Sequence, residues 1–223
     1  MSRNFLSPII LPAGTSSNAP LNLQSGTNLT NATAGALEYD GKVIYSTPAA
    51  RGVSPSMMFY RLNSFITGAN STAAQKVLGV GVTLDASTVY AFNALYLFEK
   101  SSGTTNHIFR IGFGGTATVN NIQYQGLINS TSATPGSDYI TGAASFFAQS
   151  KTSFSVSATT SVAVRTVQII LNGTVSINGS GTFIPEYTLS AAPGSAYQTM
   201  AGSYISVWPI GTAGSNTSVG PWA

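Results

Sequence analysis

Ser87-Thr88-Val89-Tyr90-Ala91-Phe92-Asn93-Ala94-Leu95-Tyr96-Leu97-Phe98-Glu99-Lys100 decides the fold class. In an extended chain Tyr90, Phe92, Tyr96 and Phe98 share one face at a period of two, and Val89, Leu95 and Leu97 share the other. A strand that is apolar on both faces is covered on both sides. A second sheet supplies one cover, and a partner subunit is expected to supply the other.

The same alternation recurs outward from this stretch. Residues 59–67 and 76–84 read as strands before it. Residues 105–113 follow it, with Phe109, Ile111 and Phe113 on one face, until Gly114-Gly115 interrupts the pattern. Residues 122–128, 145–157, 183–189 and 203–210 continue the series. In residues 162–177, Val167, Ile169, Leu171, Val175 and Ile177 line one face and Gln168, Asn172, Thr174 and Ser176 the other. Asn172-Gly173 would also suit a hairpin turn, so the length of this element stays open. The one candidate helix is a single turn at residues 69–75. Strands spaced about ten residues apart, with almost no helical period, predict an all-β sandwich or barrel over residues 57–223.

Residues 1–56 differ. Pro8, Pro12 and Pro20 interrupt the first 35 residues, and proline withholds a ladder hydrogen bond, so this reads as an extended arm. Its Ile9, Ile10 and Leu11 still need burial, and an arm with spaced apolar residues is expected to lie on another surface. A β-hairpin follows: Ala36-Leu37-Glu38-Tyr39 and Lys42-Val43-Ile44-Tyr45 flank Asp40-Gly41, which suits a type I′ turn.

Composition narrows the function. Charged residues are 7% of the chain, far below the roughly 25% of an average domain, while hydrophobic residues are 43%. Disordered chains are charge-rich and apolar-poor, so this is a folded protein with a neutral, hydroxyl- and amide-rich surface. The net charge of +3 comes from scattered Lys and Arg without a basic stripe, so no nucleic-acid partner is expected. No membrane is expected either: no apolar run approaches the roughly 20 residues of a span. Residues 1–11 lack the features of a secretory signal, so the expected route out of a cell is lysis. With no cysteine, neither disulfides nor thiolate metal sites exist.

The chemistry-bearing residues are few. His107 is the only histidine and is expected at a strand end, on a surface or interface. Glu38 and Asp40 are the only carboxylates close in sequence. A sugar hydrolase needs two carboxyls, at roughly 5 Å or roughly 6.5–9.5 Å. The turn already explains Asp40, and the hairpin face explains Glu38. The Gly112 to Gly115 patch has no following helix and no Lys-Ser or Lys-Thr, so it is a turn or bulge and not a phosphate loop. The triplets at Asn28, Asn31, Asn70, Asn129, Asn172, Asn178 and Asn216 are expected to be turns without glycans. Trp208 is expected in the core and Trp222 on a neighbouring subunit. No enzymatic activity, cofactor or metal is expected.

Several segments carry a resemblance. Asn22-Leu23-Gln24-Ser25-Gly26-Thr27-Asn28-Leu29-Thr30 with Ala34-Gly35-Ala36-Leu37-Glu38-Tyr39-Asp40-Gly41 resembles a stretch of the virion structural proteins of marine and cyanobacterial phages. So do Leu78-Gly79-Val80-Gly81-Val82-Thr83-Leu84 and Arg110-Ile111-Gly112-Phe113-Gly114-Gly115-Thr116-Ala117. Gly202-Ser203-Tyr204-Ile205-Ser206-Val207-Trp208-Pro209-Ile210-Gly211 belongs with them. None of these motifs is catalytic. The resemblance implies a jelly-roll-like β-sandwich that forms a homotrimer on the virion exterior. There it would be a capsid decoration (cement) protein bound to the major capsid protein, or a tail fibre or adaptor subunit bound to tail proteins and recognising host polysaccharide. The short run before residue 57 favours the capsid. On this reading Arg3, Ile9, Ile10, Leu11, Lys42 and Arg51 are the expected partner-binding residues, the cations facing an acidic shell.

Overall fold

The computed structural model describes residues 11–47, 52–54, 57–131, 142–152, 154–155, 160–214, 216 and 219. Arg3, Ile9, Ile10, Arg51, Asp138 and Trp222 lie outside them. The chain divides into two compact units, Met1–Ser54 with Val219–Ala223, and Pro55–Ser218.

In the first unit β1 (Ala36–Tyr39), β2 (Ile44–Thr47) and β3 (Gly52–Ser54) form an antiparallel sheet in that order. The predicted hairpin is present, but its tip sits one residue later than expected. Tyr39 pairs with Ile44, and Asp40 N–H donates to the Val43 carbonyl, leaving Gly41 and Lys42 at the tip. Gly41 has φ +92° and Lys42 does not share the positive φ, which excludes type I′ and matches type II′. The Asp40 carboxylate causes the displacement. It accepts the N–H groups of Lys42 at 2.8 Å and Val43 at 2.7 Å and the Tyr45 hydroxyl at 2.9 Å. Burial works to raise the Asp40 pKa, but these donors outweigh it and hold the carboxyl below its usual range.

The second unit begins with short strands: β4 (Met58–Arg61), β5 (Ile66–Thr67), β6 (Gln75–Lys76) and β7 (Val82–Leu84). The long ones are β8 (Thr88–Lys100), β9 (Phe109–Gly114), β10 (Thr118–Thr131) and β11 (Gly142–Ala148). Then come β12 (Phe154–Ser155), β13 (Arg165–Gly179), β14 (Gly181–Leu189), β15 (Gln198–Thr199) and β16 (Tyr204–Thr212). All pairings are antiparallel, and no helix occurs among the described residues.

The larger sheet runs β11-β10-β13-β8-β16-β4, with β15 and β5 continuing beside the far end of β8. The smaller runs β12-β9-β14, with β6 and β7 both on the open side of β14. Their inner faces meet as a sandwich of rings. Phe92 of β8 lies 5.2 Å from Phe113 of β9 and 5.9 Å from Phe183 of β14. Phe98 lies 4.9 Å from Phe109 and 5.3 Å from Tyr187. These edge-on and tilted contacts are the favoured aromatic geometry. Strand β8 alternates buried and half-buried along its whole length, so its outward face keeps partial access to solvent.

Several expected strands divide where tertiary pairing demands it. Residues 59–67 split because Leu62 N–H donates to the Ser203 carbonyl, which moves the chain from the β16 side to the β15 side. In 76–84, Gly79 turns at φ +73° between β6 and β7. The first part of 105–113 is not strand; His107 makes only an isolated bridge to Thr160. Residues 145–157 part into β11 and β12, one in each sheet. No helical turn forms at 69–75. There the Gln75 side chain accepts from Ala69 N–H at 2.5 Å and donates back to the Ala69 carbonyl at 3.1 Å.

The hairpin alternative at Asn172-Gly173 does not form. Strand β13 runs straight through, with Gly173 between Tyr124 and Phe92. A Cβ there would collide with the Tyr124 Cβ and the Gln123 carbonyl, so close strand approach demands the glycine, and no turn does. Asn129, Asn172 and Asn178 are likewise strand residues and not turns. The Gly114-Gly115 break is a turn as expected, with Gly115 at φ +92° against Thr182.

Candidate functional site

An open edge of the sandwich carries the largest run of exposed apolar side chains among the described residues. Strand β4 pairs only with β16, and β7 only with β14, so each leaves a backbone edge unpaired among the described residues. The sequence Met57-Met58-Phe59-Tyr60 supplies alternate residues to both faces of β4. Phe59 is 57% exposed and Tyr60 42%, and Val80, before β7, is 39% exposed. Between the strands lies an apolar groove of about 190 Å³, floored by Leu78, Ile205 and Val207 and walled by Phe59, Tyr60 and Val80. Met57 and Phe65 are exposed just beyond β4. An apolar edge with free backbone groups is what a second chain pairs with, and monomeric proteins blunt such edges with charge or proline. Arg61 is the only charged residue in β4.

Of the expected partner-binding residues, Leu11 is exposed and Lys42 is half-buried at the hairpin tip. Arg3, Ile9, Ile10 and Arg51 lie outside the described residues. Trp208 is not in the core. The register sets it opposite Ala91 on the outward face, while Ile205 and Val207 point inward.

His107 is not at a surface either. It is fully buried, with Nδ1 2.8 Å from the Thr105 carbonyl and Nε2 2.8 Å from the Tyr197 hydroxyl. A carbonyl only accepts, so Nδ1 carries the proton and Tyr197 donates to Nε2. Close by is a feature that sequence reading missed. The Lys100 side chain is 1% exposed, and its ammonium donates to four carbonyls: Ser102 at 3.0 Å, Gly103 at 2.6 Å, Val162 at 2.8 Å and Ala163 at 3.1 Å. It ties the loop after β8 to the segment entering β13. Arg165 is buried beside it. Burial and the Arg165 charge push the Lys100 pKa down, while the carbonyl dipoles favour the ammonium.

Burial and the cations Lys100 and Arg165 push the His107 pKa below its usual 6.5, against the opposing pull of the Thr105 carbonyl. The unfolded chain therefore takes up a proton near pH 6.5 that the folded chain refuses. Stability is full above that pH and falls as pH drops below it, by at most about 1.4 kcal/mol per pH unit. Melting temperature followed from pH 8 to pH 5 is expected to decline below about 6.5. In His107→Gln this part of the decline should vanish, and an equal decline in the variant would remove His107 as its source.

The two neighbouring carboxylates are both occupied structurally. Asp40 holds the hairpin tip, and Glu38 Oε1 accepts the Leu29 N–H at 2.6 Å. Among the described residues no group of three or more His, Asp or Glu side chains converges on a possible metal position. No helix among them is long and apolar enough to cross a membrane. Comparison with protein-family profiles, curated proteins and solved structures finds no match to this chain.

Proposed function

We propose that this chain is a non-enzymatic structural subunit of a phage virion, a capsid decoration protein that binds the major capsid protein as a homotrimer. The observation that carries the reading is the apolar edge formed by β4 and β7. It is an association surface on a rigid, sparsely charged β-sandwich whose conspicuous polar groups are spent on structure. The crossings between sheets at β8 to β9, β9 to β10 and β13 to β14 fit a jelly-roll-like winding. Self-association along the apolar edge supplies the trimer, and the small N-terminal unit, with Lys42 at its hairpin tip, supplies the contact to the shell. The resemblance of residues 22–30, 34–41, 78–84, 110–117 and 202–211 to phage virion proteins supports the location.

The deciding experiment is quantitative mass spectrometry of purified virus particles from the source of this sequence. A copy number comparable to that of the major shell protein is expected. Absence from particles, or only a few copies in each, would overturn the decoration role.

A further inference from the structure

The outward face of the larger sheet is ordered in cross-strand rows. One row runs Phe147, Gln125, Asn172, Asn93, Ser206, Phe59, each the register partner of the next. The adjacent row runs Ser145, Leu127, Ile170, Leu95, Tyr204, Arg61. Between the β11 and β13 ends of these rows lies a shallow groove of about 450 Å³, within the roughly 300–1,000 Å³ of small-ligand sites. Gln125, Leu127, Ser145, Phe147, Ile170 and Asn172 line it.

Three properties of this groove point to one ligand chemistry. Among the described residues it holds no ionisable side chain, so they give it no electrostatic purchase on an acidic or basic polymer. Gln125 and Asn172 are exposed and their side-chain amides make no hydrogen bond among the described residues, whereas the neighbouring amides are tied: Asn129 to Gln168 at 2.8 Å, and Asn93 to Ser206 at 2.5 Å. Each free amide offers both donor and acceptor to paired hydroxyl groups. Beside them the Phe147 ring is 57% exposed and Leu127 43%, giving flat apolar surface. The negative face of an aromatic ring attracts the polarised C–H bonds of a sugar. The amides are cross-strand neighbours, held at a spacing of roughly 4.8 Å, close to the length of one pyranose residue. They sit on long paired strands, so the site is preorganised.

We propose that this groove binds a neutral glycan chain lying across β11, β10 and β13, its sugar faces on Phe147 and its hydroxyls on Gln125 and Asn172. Strands β8 and β16 lie between it and the β4 edge, so association there leaves it open. The inference goes beyond the structural role and does not depend on where the subunit sits on the particle.

The test is calorimetric titration of the full chain with cello-, manno-, chito- and laminarihexaose, with heparin as an acidic comparison. Binding of at least one neutral hexasaccharide is expected, weakened about tenfold or more by Phe147→Ala and by the Gln125→Ala, Asn172→Ala pair. All these positions are exposed, so the melting temperature and oligomeric mass should hold. Failure of every neutral hexasaccharide to bind at millimolar concentration would overturn the proposal. So would unaltered binding in both variants, or a preference for heparin. None of these results bears on copy number in the particle.

Discussion

Lys100→Met is expected to lower the melting temperature by about 10 °C. Methionine matches the lysine stem and fills the same space, so packing is largely kept. What is lost is the ammonium. Four carbonyl oxygens, from Ser102, Gly103, Val162 and Ala163, then face an apolar methyl group. An orphaned buried polar group costs about 1–3 kcal/mol. Relief from burying a charge beside Arg165 offsets part of the total. A net loss of about 3 kcal/mol corresponds to roughly 6–12 °C for a unit of this size. Lys100→Arg should not rescue it, because a planar guanidinium cannot replace a compact ammonium among converging carbonyls. Calorimetry decides: a shift within about 2 °C of the parent would mean that both loops hold without the tie.

Phe59→Asp combined with Val80→Asp is expected to turn the proposed trimer into single subunits. Both side chains are exposed in the isolated subunit, so the variant should fold with an unchanged far-UV spectrum. In the assembly each aspartate would be buried along an apolar edge, and in a closed ring every interface would carry the pair. Unpaired charge at an interface costs several kcal/mol, which weakens association by a thousandfold or more at roughly 4 kcal/mol. Light scattering at micromolar concentration should give a trimer mass for the parent and a monomer mass for the variant. A parent that is itself monomeric, or a variant that stays trimeric, would show that the β4 and β7 edge is not the self-association surface.

The long strands were legible because alternation over many residues leaves one reading. Strands β8, β13 and β14 appear where periodicity puts them, and Val167, Ile169, Leu171, Val175 and Ile177 are all inaccessible, as their shared face requires. The short strands were not legible as separate elements. In β5, β6 and β15 two residues are strand only because a distant partner pairs with them, and no local pattern encodes that. The hairpin tip moved by one residue because Asp40 capped it with its side chain, a competition that a dipeptide rule ignores. The Lys100 site was invisible for a related reason: its partners are main-chain carbonyls, which every sequence supplies. The apolar edge was half visible. Met57-Met58-Phe59-Tyr60 is plain in the sequence, but only the pairing shows that β4 has an open side.

The placement of β8 also governs how the chain reaches its fold. This strand lies between β13 and β16, and Asn93 meets Ser206 across 113 residues of sequence. At a synthesis rate of about 5–20 residues per second, its second neighbour arrives on the order of 10 s after the strand itself. For that interval the most aromatic strand of the protein waits with an open edge. Loop closures of this span slow folding, and a nascent chain held in this state is prone to aggregation. The same wiring protects the finished molecule. Neither edge of β8 can be freed without stripping away a strand drawn from a distant part of the chain. The sequence distance that slows pairing of β8 is thus also what holds the strand in place once it is paired on both sides.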